Sequence, residues 1–472
     1  MIDYILIFGF LGYLAIFSFK SYKEVHSINA FSMGIRSIST YALGATITAT
    51  WVSGSGFFID LTEFYSRGLI HFIESLGMCF ALAITGMVIA PKMKRFLGKI
   101  SVASIMGEEY GQTVRLITAF SGCFAASGGI YIQFKLMGKV LFYLLPFLNE
   151  SICIFISSLI VIGYSFSGGI NNVVTTDKVQ AFCFMTSLLI GITIIKINSL
   201  HTPQNADLAT LGKHFYLNHI STFDNETLIN SILLFLYFFL PGMSPHVVQR
   251  ISMGINIKQV KYAYLWSAFW LGVVLAFSCY FSYLVFQTDP YLERDKILPA
   301  VLDIFSVDGT KAILVIGIIS MCMSTADSNL NIGAILVAND TWKCNTLDPF
   351  EKLTFARYST IGIGLLALLF CFKEGSFLQI FLFAQTFYMP IVTVPLLAVI
   401  FGFKTTERIC LFSMFCVFIY IMIYKFILNP DFNIIPYGMA LNAVVLISSH
   451  YIVEKWQLLK FFGITSQLKR KK

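Results

Sequence analysis

Charge is scarce in this sequence. Asp, Glu, Lys and Arg supply 12% of its 472 residues, while 57% are hydrophobic, and a soluble domain carries about 25% charged residues. So little charge cannot cover a water-facing globule, which excludes the soluble class. Long polar linkers and low-complexity stretches are lacking as well, so the chain is expected to be one membrane domain. No appended enzyme or kinase module is evident, although a sensor would need such an output domain. Metal-ligand spacing is lacking among the cysteines. Most of the ten, such as Cys79, Cys123, Cys183, Cys279, Cys322 and Cys416, sit in apolar runs and read as reduced core residues. The formal charge of +8 is spread over short loops, which argues against a nucleic-acid partner.

What is present is a series of apolar runs of the length needed to cross a hydrocarbon core of about 30 Å. Thirteen are counted, near 2–19, 39–64, 69–91, 114–143, 150–169, 179–197, 228–250, 262–287, 311–338, 355–373, 377–402, 408–428 and 434–453. Only Met-Ile-Asp precedes the first, with no basic n-region or cleavage site, so it reads as a retained span. With the N-terminus outside, the inner loops gather Lys20, Lys23, Arg36, Lys92, Lys94, Arg95, Lys99, Lys258, Lys261 and the tail Lys469 to Lys472. The outer loops hold mainly Arg67, Lys213, Arg294, Lys296 and Lys373. Lys and Arg collect on the cytoplasmic side. The expectation is a multi-pass protein of the plasma (inner) membrane with a cytoplasmic C-terminus.

The run near 311–338 contains Met321-Cys-Met-Ser324-Thr325-Ala-Asp327-Ser328-Asn-Leu-Asn331. Placing hydroxyls, an amide and a carboxylate in a bilayer costs several kcal/mol unless something pairs with them. On a helix Ser324, Asp327, Ser328 and Asn331 fall at i, i+3, i+4 and i+7, with Thr325 on the shoulder. Such a stripe of oxygens suits a hard cation.

Two spans are interrupted. One holds Ser53-Gly54-Ser55-Gly56 and the other Pro241-Gly242-Met243-Ser244-Pro245, where proline removes backbone donors. They lie five spans apart. Each therefore opens one of two oppositely inserted halves, and paired interruptions of this kind point to a solute site near the bilayer midplane. The organisation expected is an extra N-terminal span with its loop (1–38), a first repeat (39–197), an outer loop (198–227), a second repeat (228–402), and two C-terminal spans with a basic tail (403–472).

Several segments together resemble the sodium:solute symporter family. They are Phe31-Ser-Met-Gly-Ile-Arg36-Ser, Ala49-Thr50-Trp51-Val52-Ser53-Gly54, Tyr164-Ser-Phe-Ser-Gly168-Gly169, Val174-Thr-Thr176-Asp177-Lys-Val-Gln180, Pro245-His246-Val-Val-Gln249-Arg250 and Met323-Ser324-Thr325-Ala326-Asp327-Ser328. They span roughly residues 30–400 in the family's order. The resemblance implies an all-α polytopic membrane protein with about thirteen transmembrane helices and a LeuT-like five-plus-five inverted repeat. It also implies uptake of a small organic solute coupled to Na+, with no other cofactor. Mapped residue by residue, the cation site would comprise the Ala49, Val52 and Met321 carbonyls with the Ser324 and Thr325 hydroxyls.

Asp327 and Asp177 are the next candidates, for the cation or for gating. For each the alternative is a structural job, pairing spans or, for Asp177, capping a helix. Trp51, Ser53, Ser55, Tyr237 and Ser244 are the expected solute lining. The segment around Trp51 resembles choline-type members, whose aromatic cage attracts quaternary ammonium, but Ser244 stands where such a cage would carry a second Trp. Proline-like amino acids, quaternary ammonium compounds and carboxylates all remain open as solutes. Asp60, Glu63 and Arg67 suggest a Glu63–Arg67 pair at the outer interface, an outer gate or a solute contact. Lys135 and Lys139 are expected to snorkel. Rival readings are a proton-coupled transporter on the same fold and, from another class, a sensor or an acyltransferase-type enzyme with His246 as its only candidate near a break. Oligomeric state is not encoded in these features.

Overall fold

The computed structural model describes residues 2–22, 25–34, 38–199, 212–216, 224–304, 309–341, 348–372, 377–425 and 434–461. Arg36, Lys23, Lys373, most of the loop 198–227 and the basic tail lie outside the described residues.

Helices dominate, because a backbone in hydrocarbon must satisfy its own polar groups. They run α1 (Ile2–Tyr22), α2 (Ile28–Met33), α3 (Thr40–Trp51), α4 (Gly54–Arg67) and α5 (Leu69–Ile84), the last continuing through a π-helical turn at Thr85–Ile89 to Lys92. Next come α6 (Val102–Tyr110), α7 (Gln112–Leu144), α8 (Glu150–Ser167) and α9 (Ile170–Ser199). The second half holds α10 (Asn225–Phe239), α11 (Pro245–Ser252), α12 (Ile257–Thr288), α13 (Ile297–Ile304), α14 (Thr310–Asp340) and α15 (Pro349–Phe370). The chain continues with α16 (Phe377–Thr386), a π-helical turn at Met389–Thr393, α17 (Val394–Ile400), α18 (Glu407–Ile423) and α19 (Ile434–Phe461).

Among the described residues nine helices are long and apolar enough to cross a membrane, and the bent pair α3/α4 makes ten. The thirteen expected runs all contain helix, but this measure does not reach thirteen spans. The shortfall has local causes. α10 stops at Phe239 before the Pro-Gly break, and α18 has 17 residues.

α14 is the axis of the molecule. Its apolar window is 89% buried, against 33–67% for the other spans, and it packs on α7, α9 and α15 while touching α3 and α4. Small residues allow these approaches, as packing without a hydrophobic drive in lipid requires. At Gly54 a side chain would sit on Cys322 Sγ and within 3.1 Å of the Cys322 backbone nitrogen, so only glycine lets the first break touch α14. At Gly169 a Cβ would meet the Phe31 Cα at 3.0 Å, which explains why α2 can seat against the start of α9. α1 reaches the axis differently. Asp3 accepts from the Ala312 and Gly309 backbone nitrogens at 2.8 and 3.2 Å and so caps the start of α14.

Candidate functional site

The first break is made by one side chain. α3 and α4 meet at 56°, and Ser53 Oγ accepts the Gly56 backbone N–H at 2.8 Å as the N-cap of α4. The Ser53 N–H goes to the Trp51 carbonyl at 3.0 Å. The Ala49 and Val52 carbonyls are thereby released from the helical ladder, since their regular donors, Ser53 and Gly56, are engaged elsewhere.

The second break is tied off. The Gly242 carbonyl accepts from Thr393 Oγ1 at 2.6 Å and the Met243 carbonyl from the Tyr388 hydroxyl at 2.8 Å. Met243 sits at φ 43°, a left-handed backbone that costs a non-glycine residue about 1–3 kcal/mol and persists only where its surroundings hold it. The two breaks therefore differ: the first leaves acceptors free, and the second spends them on the α16–α17 segment.

Both breaks open onto one cavity of about 190 Å³. That is more than ten times what one water requires, roughly 10–15 Å³ on a comparable measure, so it suits a small organic molecule and not merely an ion. All five residues expected to line a solute site, Trp51, Ser53, Ser55, Tyr237 and Ser244, are on its wall, and Val52 and Thr325 join them. Asp60, for which a solute contact was one of the readings, is on the wall too, whereas sequence reasoning missed Gln133 and Asn329 as lining residues. Gln133 Nε2 donates to Ser55 Oγ at 2.7 Å and its Oε1 accepts the Ser55 N–H at 3.1 Å, bracing the first turn of α4. A lone Gln in an apolar run was the available signal.

The stripe on α14 divides into two parts. Its lower residues are joined to the second half-helix: Ser328 Oγ accepts from Arg250 at 2.9 Å, and Asn331 Oδ1 accepts from Gln249 at 3.1 Å. Asn331 also donates to the Phe31 carbonyl at 3.3 Å. The upper residues face α9 and the first break. Ser324 Oγ donates to Asp177 Oδ1 at 2.6 Å, and Thr46 donates to the other oxygen of Asp177.

Asp177 lies inside α9, fully buried and 3.8 Å from Arg250, so it does not cap a helix. Thr325 Oγ1 is buried without a hydrogen-bond partner, and neither oxygen of Asp327 meets a donor in bonding geometry among the described residues. The electrostatic neighbours of Asp327 are Asp177, Tyr164 and Arg250. The Met321 carbonyl belongs to an unbroken stretch of α14, so a cation could take only its second lone pair. Orphaned buried oxygens are uncommon and call for a partner. Thr325 lines the same cavity as Val52, whose carbonyl Ser53 sets free.

The expected Glu63–Arg67 pair is long, at 3.8 Å. Arg67 turns instead to Glu74, with its Nη1 at 2.9 Å, while Glu63 meets Arg294 at 3.1 Å. Asp60 pairs with His71, a partner that the i, i+4 rule could not supply.

The sodium:solute symporter family model matches residues 31–417. The chain belongs to the sodium:solute symporter family. Relatives of this symporter include the high-affinity proline transporter PutP of Bacillus subtilis (strain 168), 20% identical over 385 residues, 78% of each chain. The sodium/sialic acid symporter NanT of Aliivibrio fischeri is 24% identical over 77% of this chain and 75% of its own. The high-affinity choline transporter 1 of Caenorhabditis elegans is 22% identical over 70% of this chain and 60% of its own.

Among solved structures, a substrate-bound, outward-open Na+-coupled sialic acid symporter superposes with a TM-score of 0.79 at 18% identity, covering 96% of this chain and 97% of that one. Mhp1, a nucleobase-cation-symport-1 family transporter, gives 0.60 at 13% identity, with 91% and 95% covered. The fold is thus LeuT-like, and the family is one of transporters, not enzymes. This symporter is a secondary active transporter that couples a solute to sodium.

Proposed function

We propose that sodium binds between the first break and α14, on the Ala49 and Val52 carbonyls, the Met321 carbonyl and the Ser324 and Thr325 hydroxyls. The solute occupies the adjoining cavity lined by Trp51, Ser53, Ser55, Tyr237 and Ser244. The observation that carries this reading is the meeting of unlike deficits. Thr325 Oγ1 is buried with no partner, and it shares a cavity wall with Val52, whose carbonyl has lost its helical donor. Three oxygens with no bond of their own, on Ala49, Val52 and Thr325, joined by the spare lone pairs of the Met321 carbonyl and the Ser324 hydroxyl, suit a hard cation.

The orientation supported by the loop charges puts the N-terminus outside and the C-terminus in the cytoplasm of a plasma-membrane protein. Inward sodium then drives uptake. At about 100 mV one charge supplies about 2.3 kcal/mol, and a tenfold gradient adds about 1.4 kcal/mol, together roughly 500-fold accumulation per ion. The solute is a small organic molecule of the kinds its relatives' names declare: proline, choline or sialic acid.

The fully buried carboxylate of Asp327 in the middle of α14 favours one second reading, a proton as the coupling ion. Uptake into proteoliposomes separates the two. The expected result is sodium-dependent uptake whose half-activating sodium concentration rises tenfold or more in Thr325→Ala and Ser324→Ala at unchanged protein level, by the size of a lost charge-assisted contact of about 1.5–3 kcal/mol. Uptake that proceeds without sodium and disappears in Asp327→Asn would overturn this assignment in favour of the proton.

A further inference from the structure

On α4, Ser53, Gly56, Phe57 and Asp60 fall at i, i+3, i+4 and i+7, and all four line the solute cavity. Asp60 is the only one that carries a charge. Resting on the reading of this cavity as the solute site, we infer that Asp60 reads a positively charged nitrogen on the transported solute, with His71 as the residue that positions its carboxylate.

Three observations converge on this. Asp60 Oδ1 lies 3.1 Å from His71 Nε2, and no other hydrogen bond to this carboxylate comes from a described residue, so its second oxygen is left for a ligand. His71, 1% exposed, is itself fixed. Glu74 Oε2 is 3.2 Å from its Nδ1, Ser75 Oγ is 3.3 Å from its Nε2, and the Phe64 ring stands edge-on at 4.9 Å. Glu74 is in turn held by Arg67, and Arg67 reaches Ser231 on α10 at 3.4 Å. The carboxylate therefore sits at the end of a chain of locked side chains spanning α4, α5 and α10, which limits the ordering cost of binding.

The wall around it favours a cation as well. Trp51, Tyr237 and Phe238 supply aromatic rings, whose faces attract ammonium groups, and Met78, Leu271 and Val274 keep the local dielectric low. An uncharged or anionic solute would leave the second oxygen of this semi-buried carboxylate, the one His71 does not bond, without a donor, which disfavours it. Either an amine or a quaternary ammonium satisfies this chemistry.

The test uses the full-length protein in proteoliposomes under an inward sodium gradient, with choline, proline, galactose and N-acetylneuraminate as probes, and with the uncharged isostere of choline that has carbon in place of nitrogen as competitor. The expected result is recognition of choline or proline, with the isostere at least tenfold weaker in the wild type, as expected for loss of a charge-assisted contact. Asp60→Asn should raise the KM for the recognised cationic probe about 10- to 100-fold with less change in kcat. Asp60→Glu should recover part of it, and His71→Gln should give a smaller rise. The isostere comparison is made on unaltered protein, so it decides even if Asp60→Asn fails to fold. Sodium-driven uptake of galactose or N-acetylneuraminate alone, or equal affinity for choline and its isostere, overturns the inference while leaving the symporter reading intact. A change in sodium activation without a change in solute KM would make Asp60 an ion ligand and overturn it too. If none of the probes is taken up and sodium binding is also undetectable by thermal shift, the proposed function itself has failed.

Discussion

Ser53 does two things with one hydroxyl. It caps α4 through the Gly56 N–H, and by taking that donor it keeps the Val52 carbonyl from closing a continuous helix across the break. The cap is worth about 1 kcal/mol; the freed carbonyl is a ligand of the proposed sodium site. Ser53→Ala should therefore cost little stability and much sodium affinity, because the Gly56 N–H then becomes available to Val52. Sodium activation curves set beside melting temperatures check this. A right-shifted curve with a melting temperature lowered by only a few degrees is the expected outcome, and a lowered melting temperature with unaltered sodium activation would limit Ser53 to capping. Thr393 and Tyr388, which hold the carbonyls of the second break, do the opposite job, and no comparable gain of a ligand is available there.

At the scale of elements, α14 stays unbroken and presents side chains, while α3/α4 and α10/α11 break and present backbone. The stripe at 324–331 and both breaks were legible in the sequence, because hydroxyls in an apolar run and Gly or Pro clusters each violate a local rule that hydrocarbon enforces. Because they sit at or beside those breaks, Trp51, Ser53, Ser55, Tyr237 and Ser244 could also be expected to share one cavity. What could not be read were pairings across distant segments: Asp177 with Ser324 and Arg250, Asp60 with His71, Gln133 with Ser55. Those depend on which faces meet, and periodicity along one helix does not encode that. The Arg250–Asp177 pair shows what such a contact is worth. Both groups are buried, at 3.8 Å, and removing one partner of a buried pair costs about 3–5 kcal/mol because the other charge is stranded. Arg250→Met should therefore destabilise the folded protein by about that amount. Adding Asp177→Asn should restore part of the loss, since Asp177 then carries no charge to strand, while Asp327 keeps the rest. Thermal unfolding of the two single variants and the double variant measures the coupling, and additive effects would mean that the pair is not an energetic unit.

For the whole molecule, ion pairs gather in two clusters apart from the wall of the central cavity. Glu63–Arg294 and Arg67–Glu74 lie toward the end of α4. Toward the end of α14, Arg115 Nε and Ser101 Oγ hold Asp340 at 2.8 and 2.5 Å, with Arg95–Glu109 nearby. Two of these pairs, Glu63–Arg294 and Arg115–Asp340, join segments from both halves of the chain, so the balance between them is a global property that local binding can bias. A ligand shifts such a balance only by its difference in affinity between states, and a site built from α3 and α14 differs between states if the two helices move apart. Sodium bound there should also stabilise the folded protein by linkage, by about 2.7 kcal/mol at a concentration one hundred times its Kd. In detergent the melting temperature should rise with sodium and not with potassium at equal ionic strength. The rise should vanish in Thr325→Ala and persist in Asp60→Asn, because the first removes a proposed ion ligand and the second a proposed solute contact. Equal stabilisation by sodium and potassium would mean that salt acts on the exposed pairs and not on the site between α3 and α14.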